Sequence, residues 1–111
     1  MSALEQGDII EIDFSPSVGH EPAKTRPAVV LSSYAFNSRS SLVVVAPVTS
    51  RDNGYPLHVP VRGTAGVKGF AVLEAMRSLD VSQRGYRHIG YVDDRALNRI
   101  MSLMRGVFDL R

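Results

Sequence analysis

Two uninterrupted apolar runs, residues 27–31 (PAVVL) and 42–48 (LVVVAPV), constrain this chain more than any other feature. Each is rich in β-branched residues, whose stiff side chains suit an extended backbone, and each is too short to serve as a buried helix. A half-buried strand alternates apolar and polar residues, whereas a run with no polar member has both faces covered. These two runs are therefore expected at the centre of a sheet. Around them, residues 8–14 alternate Ile10, Ile12 and Phe14 with Glu11 and Asp13, the period of a half-buried strand. Residues 15–25, broken by Pro16, Gly19 and Pro22, read as a loop.

Asp52-Asn53-Gly54 is a turn signal, residues 57–61 form a short strand that its prolines place near an edge, and 63–69 form another loop. Residues 70–73 and 76–79 read as one bent strand, and 87–92 as a further strand. The period changes only once. From Asp93 onward, Leu97, Ile100, Met101, Met104, Val107 and Phe108 fall at helical spacing, with Asp93 or Asp94 placed to cap the helix. Five to seven short strands followed by one amphipathic helix predict a mainly β fold, a small, strongly bent antiparallel barrel with the helix packed on it.

At 111 residues the chain is long enough for one core and too short for two, so residues 1–111 are expected to be a single domain. It has no cysteine, which excludes disulfides and thiolate metal sites. There is no apolar run of the roughly 18 residues a membrane helix needs, and residues 1–7 have neither a basic nor an apolar leader region. A cytoplasmic protein without a membrane partner is expected. Of the 13 basic residues only Lys24 and Lys68 are lysine; the arginines offer a planar fork for phosphate or carboxylate oxygens.

Chemistry concentrates at the ends of the two apolar runs. Arg26 precedes Pro27, whose ring holds its predecessor extended, so a guanidinium stands on rigid backbone at a strand start. Pro47-Val48-Thr49-Ser50 brings hydroxyls to the end of the other run. In antiparallel neighbours the start of one strand lies beside the end of the next, which would bring Arg26 and Thr49 together. With His20 and Glu21 in the preceding loop, the set suits a phosphodiester. Arg stabilises the extra charge of a pentavalent phosphorane, Thr donates to a phosphate oxygen, and Glu or His takes a proton from a ribose 2′-OH and returns one to the leaving oxygen. Such internal attack needs no metal or other cofactor, and the three histidines at 20, 58 and 88 form no metal-binding motif. Each residue also has an ordinary role open to it: a solvated loop acid, an arginine paired to a carboxylate, a turn hydroxyl.

The order of these pieces resembles the MazF/PemK/Kid family of toxin endoribonucleases. The matching elements are Gly7-Asp8-Ile9-Ile10, Asp13-Phe14-x-Pro16, Gly19-His20-Glu21, Thr25-Arg26-Pro27-Ala28-Val29-Val30 and Val45-x-Pro47-Val48-Thr49-Ser50, then the segment from Gly69 through Glu74 and Arg77 to Asp80. The resemblance covers nearly the whole chain. It implies a homodimer of SH3-like barrels of the PemK/CcdB type that cuts single-stranded RNA, usually mRNA at a short base motif, without a metal, leaving a 2′,3′-cyclic phosphate and a free 5′-OH. It also implies a cognate antitoxin whose acidic, disordered C-terminal tail covers the site, and operator DNA bound only through that antitoxin.

Carried over by position, Arg26 and Thr49 match the family's catalytic pair, Glu21 an acid implicated in the MazF branch, and His20 an imidazole of the Kid branch. The Kid branch places Arg-x-Asp-Gln where this chain has Val72, Leu73, Glu74 and Ala75, so that acid–base pair does not transfer whole. Glu74, Arg77, Ser50 and Arg51 are secondary or RNA-binding candidates, with base selectivity expected in loops 51–56 and 62–69. Leu103, Met104 and Phe108 are expected to extend a dimer patch. Two other classes stay open: a gyrase poison like CcdB, whose members rely on a Trp-containing tip that this chain lacks, and a non-catalytic RNA- or peptide-binding barrel.

Overall fold

The computed structural model describes residues 2–15 and 24–109, apart from the side chain of Ala65. In chain order the elements are β1 (Asp8–Asp13), β2 (Thr25–Val30), the one-turn helix α1 (Tyr34–Asn37), β3 (Leu42–Thr49), β4 (His58–Arg62), β5 (Lys68–Val72), β6 (Arg77–Asp80), the one-turn helix α2 (Val81–Arg84), β7 (Arg87–Tyr91) and α3 (Asp94–Val107). Turns of 3-10 helix occupy Thr64–Gly66 and Leu73–Ala75. The strands follow the order β4-β5-β3-β2-β1-β7, with β6 also paired to β3, and all these pairings are antiparallel. A single bridge, Gly63 to Val92, joins the residues that follow β4 and β7, so the two ends of the strand path meet and the sheet curls into a barrel.

The two apolar runs are the central strands for the reason expected: both faces of each are buried. Val29, Ala46 and Val48 enter a core that α3 covers with Ala96 and Ile100. Ala28, Val30, Val43 and Val45 enter a second core with Ile10, Ile12, Phe14 and Leu79. β4, with its exposed Pro60, ends the strand path as its proline content predicts. Among the described residues no helix is long and apolar enough to cross a membrane.

Several boundaries differ from expectation. Thr25 belongs to β2 rather than to the preceding loop, and Lys68 and Gly69 belong to β5. The bent strand expected over 70–79 is two strands on the same neighbour: β5 pairs Val48 and Thr49, while β6 pairs Leu42, Val43, Val44 and Val45. On this side of β3 the ladder is interrupted at Ala46 and Pro47, where the proline has no N–H to give, and the turn Leu73–Ala75 bulges across the gap. The helices α1 and α2 are too short to show a period. They arise from caps: the Ser33 hydroxyl accepts from Phe36 N–H, and the Asp80 carboxylate accepts from Ser82 and Gln83 N–H. Asp93 occupies the N-cap position of α3 as expected, but its side chain makes no capping hydrogen bond. Leu103 and Met104 pack against the first core, leaving Val107 and Phe108 as the exposed apolar end of α3.

Candidate functional site

Strand pairing decides which chemistry-bearing residues share a surface. The β2–β3 register pairs Ala28 with Pro47, and continuing it by two residues sets Arg26 opposite Thr49. Both line one open cleft of about 1020 Å³. Its walls come from β2 (Arg26, Pro27), the end of β3 and the segment after it (Val48 to Arg51, Asn53), β4 (His58), β5 (Lys68, Val72) and the interrupting turn (Glu74, Ala75), with Met76 following. Arg26, Arg51 and Lys68 make the lining cationic, and Glu74 is its one carboxylate among the described residues. This is an electrostatic setting for a polyanion.

Arg26 is half-buried, and its Nε is fully buried without a hydrogen-bond partner among the described residues. Strand backbone holds it on both sides, since Ile12 on β1 is its registered neighbour. A buried guanidinium N–H without a partner is a donor still to be satisfied, while the rest of the guanidinium has four further N–H groups to offer the cleft that Arg26 lines. The Thr49 hydroxyl oxygen accepts from Arg51 N–H at 3.3 Å. A hydroxyl whose oxygen is held by a backbone donor keeps its own proton to donate elsewhere. Close approach of β5 sustains this corner: Gly69, at φ +155°, lies so near β3 that an added Cβ would come within 2.5 Å of the Thr49 carbonyl oxygen.

The other anticipated residues divide. Ser50 and Arg51 line the cleft, as does Glu74. Arg77 does not line it; its Nη1 donates to the Phe14 carbonyl at 2.9 Å, so this arginine ties β6 to the end of β1. Glu21 and His20 lie outside the described residues. Sequence reasoning missed His58, whose Nε2 meets Glu74 Oε2 at 2.7 Å while Nδ1 is buried without a partner among the described residues. The signal was present in the β4–β5 hairpin: a turn centred near residue 65 pairs His58 with Val72, two residues before Glu74. Among the described residues no group of three or more His, Asp or Glu could share a metal ion.

A second depression, bounded by Asp13, Ser15, Ser78, Asp80 and Arg84, has a structural explanation. Hydrogen bonds from Ser15 hold the Asp13 carboxyl below the usual carboxylate range, and the Ser82 hydroxyl does the same for Asp80, helped by the Gln83 and Ser82 N–H groups. Arg84 donates to the carbonyls of Asp13 and Ser15. These groups close turns and cap α2.

Comparison with known proteins matches residues 5–108 to the model of the PemK-like, MazF-like toxins of type II toxin–antitoxin systems. The endoribonuclease toxin MazF of Escherichia coli K12 is 34% identical over 96 residues, 86% of each chain. The endoribonuclease toxin ChpB of the same strain is 31% identical over 116 residues, 97% of each chain. Among solved structures, MazF from Deinococcus radiodurans superimposes with a TM-score of 0.87 at 30% identity, covering 98% of this chain and 99% of that one. The MazE–MazF complex from the same organism gives 0.84 at 28% identity, covering 99% and 100%.

Proposed function

Since the chain belongs to the PemK-like, MazF-like toxin family of type II toxin–antitoxin systems, we propose that it is an endoribonuclease toxin that cuts single-stranded RNA, chiefly mRNA at a short base motif, in the Arg26–Thr49 cleft and is neutralised by a cognate antitoxin. The observation that carries this reading is the convergence, in one cationic cleft, of an arginine whose buried Nε–H has no partner among the described residues and a threonine with its hydroxyl proton free to donate. The relatives described above are named endoribonucleases, which favours catalysis over a gyrase poison or a passive binding barrel.

The reaction is internal transesterification. The 2′-oxygen attacks the adjacent phosphorus as it loses its proton, the P–O5′ bond breaks, and the departing oxygen gains a proton, giving a 2′,3′-cyclic phosphate and a 5′-OH. Arg26 and Thr49 bind the non-bridging oxygens, whose charge grows in the phosphorane, so their hydrogen bonds strengthen where the barrier lies. Glu21, His20 and Glu74 are the candidates for moving the protons, the first two on the strength of the family resemblance and Glu74 by its place in the cleft. Ser50, Arg51 and Lys68 contact flanking phosphates. The same cationic cleft suits the acidic, disordered tail of an antitoxin, whose separate DNA-binding part would contact operator DNA on behalf of the complex. The chain acts as a single domain and as a homodimer, with the exposed Val107 and Phe108 of α3 adding to its apolar contact.

The test is digestion of a long single-stranded RNA in excess EDTA, with the ends mapped. Discrete cuts with cyclic phosphate termini are expected, and Arg26→Ala and Thr49→Ala should each slow cutting by about 10²-fold or more with the circular dichroism spectrum retained. Cutting abolished by EDTA would sink the metal-free route, and RNA bound but uncut would replace the enzyme with a binding module.

A further inference from the structure

Glu74 stands on the turn that bridges the gap in the β3 ladder, facing the same cleft as Arg26 and Thr49. Its side chain is 39% exposed, whereas the His58 side chain behind it is only 6% exposed. The imidazole, though part of the cleft wall, therefore offers substrate almost no surface, and the carboxylate is what is presented to it. Strand β4 carries His58, and the Tyr55 ring packs edge-on against it with centroids 5.4 Å apart. The Nε2 to Oε2 distance of 2.7 Å is that of a charge-assisted hydrogen bond.

The hydrogen-bond inventory assigns the proton. With hydrogen on Nε2, the imidazole donates to Glu74, and the buried Nδ1 keeps a bare lone pair. With hydrogen on Nδ1 instead, a buried donor would lack a partner among the described residues, and two lone pairs would face each other across 2.7 Å. We infer that His58 is a positioning residue for the RNA cleavage reaction, its Nε2–H anchoring one oxygen of Glu74 so that the other is aimed into the cleft as proton acceptor for the attacking 2′-hydroxyl. This rests on the ribonuclease reading of the cleft.

In the step so assisted, the 2′-hydroxyl proton passes to Glu74 as the O2′–P bond forms and the P–O5′ bond breaks. The departing 5′-oxygen takes a proton from solvent. One P–O bond replaces another, and no oxidant, metal or hydrolytic water is consumed. Val72, two residues before Glu74, brings no guanidinium to orient the carboxylate; the buried imidazole on β4 holds it instead.

A matched pair of variants isolates the N–H. Gln and Met are both unbranched and of similar length, but only Gln carries a terminal donor that can reach Glu74. Measured as single-turnover cleavage of a single-stranded RNA, His58→Met should lower the rate constant roughly 10- to 100-fold with KM little changed, the signature of a misaimed group rather than lost binding. His58→Gln should recover most of that loss. In a Glu74→Gln background His58→Met should have no further effect, because the histidine acts only through the carboxylate.

Three results would overturn the inference: full activity in His58→Met, equal impairment of folded His58→Gln and His58→Met, or additive losses with Glu74→Gln. If His58→Met does not fold, ¹⁵N spectroscopy of the wild-type imidazole decides: a proton on Nε2 supports the assignment and a bare Nε2 overturns it. A wild type that leaves RNA uncut would bring down the ribonuclease reading itself, whereas a cutting wild type with an unimpaired His58→Met removes this inference alone.

Discussion

Replacing Gly69 by alanine tests whether the site depends on how closely β5 approaches β3. The added Cβ would come within 2.5 Å of the Thr49 carbonyl oxygen and 2.9 Å of Val48 Cγ1, whereas ordinary contact begins at 3.4 Å. The shortfall against the carbonyl is roughly 0.9 Å, and backbone cannot rotate away as a side chain would. Two costs combine: about 1–3 kcal/mol for a Cβ at φ +155°, and about 1–3 kcal/mol for overpacking. A loss of roughly 2–6 kcal/mol is a large share of the 5–15 kcal/mol that holds a domain of this size, and corresponds to a Tm lowered by roughly 10–25 °C.

Whatever fold survives must move Thr49 by a large part of an ångström, with cleavage slowed by up to about 10²-fold. The assays are thermal unfolding by circular dichroism and initial rates of RNA cutting well below the variant's Tm. Gly106→Ala serves as the control. Its Cβ would meet nothing within 4 Å, and in the last turn of α3 it should leave stability unchanged or raise it by up to about 0.5 kcal/mol. A Gly69→Ala protein with wild-type Tm and wild-type rate would refute the claim that this contact sets the corner.

Two further outcomes concern the frame around the site. Ile100, fully buried where α3 meets the barrel, should cost about 2–5 kcal/mol when replaced by alanine, read as a lowered urea midpoint with little change in slope; a loss under about 1 kcal/mol would mean that α3 is not held by this contact. Asp80 has its carboxyl lowered from the usual 3.8, first by the Ser82 hydroxyl, so its stabilising effect is fully present above that value and disappears as pH falls through the lower folded one. Asp80→Ala should therefore be less stable than wild type at about pH 6 and converge on it as pH drops below about 4. Parallel stability curves across that range would show that the cap contributes no proton linkage.

Much of the fold was legible because it is written in local pattern. Burial of both faces follows directly from runs such as Val43-Val44-Val45, and the helical spacing of Leu97, Ile100, Met101 and Met104 marks α3. The one-turn helices were not legible, since four residues cannot display a period and only their caps, Ser33 and Asp80, announce them. Arg26 and Thr49 were legible as neighbours because each lies at the end of a recognisable strand, Arg26 directly before Pro27 and Thr49 two residues after Pro47. His58 was not, because its partner lies 16 residues away and the link between them is the register of a hairpin.

The sequence by itself determined which segments are strands, which two are central, and that an arginine and a hydroxyl stand on rigid strand ends; these follow from propensity and periodicity, which act over a few residues. Tertiary structure decided which of the remaining candidates joined them in the cleft. Glu74 enters it because the β3 ladder breaks at Pro47 and a turn must cross the gap, while Arg77, three residues on, is drawn to the Phe14 carbonyl just beyond β1. Both outcomes depend on pairings between segments distant in the chain. Which side chains meet is set by how strands align, and alignment is a property of the whole packed sheet.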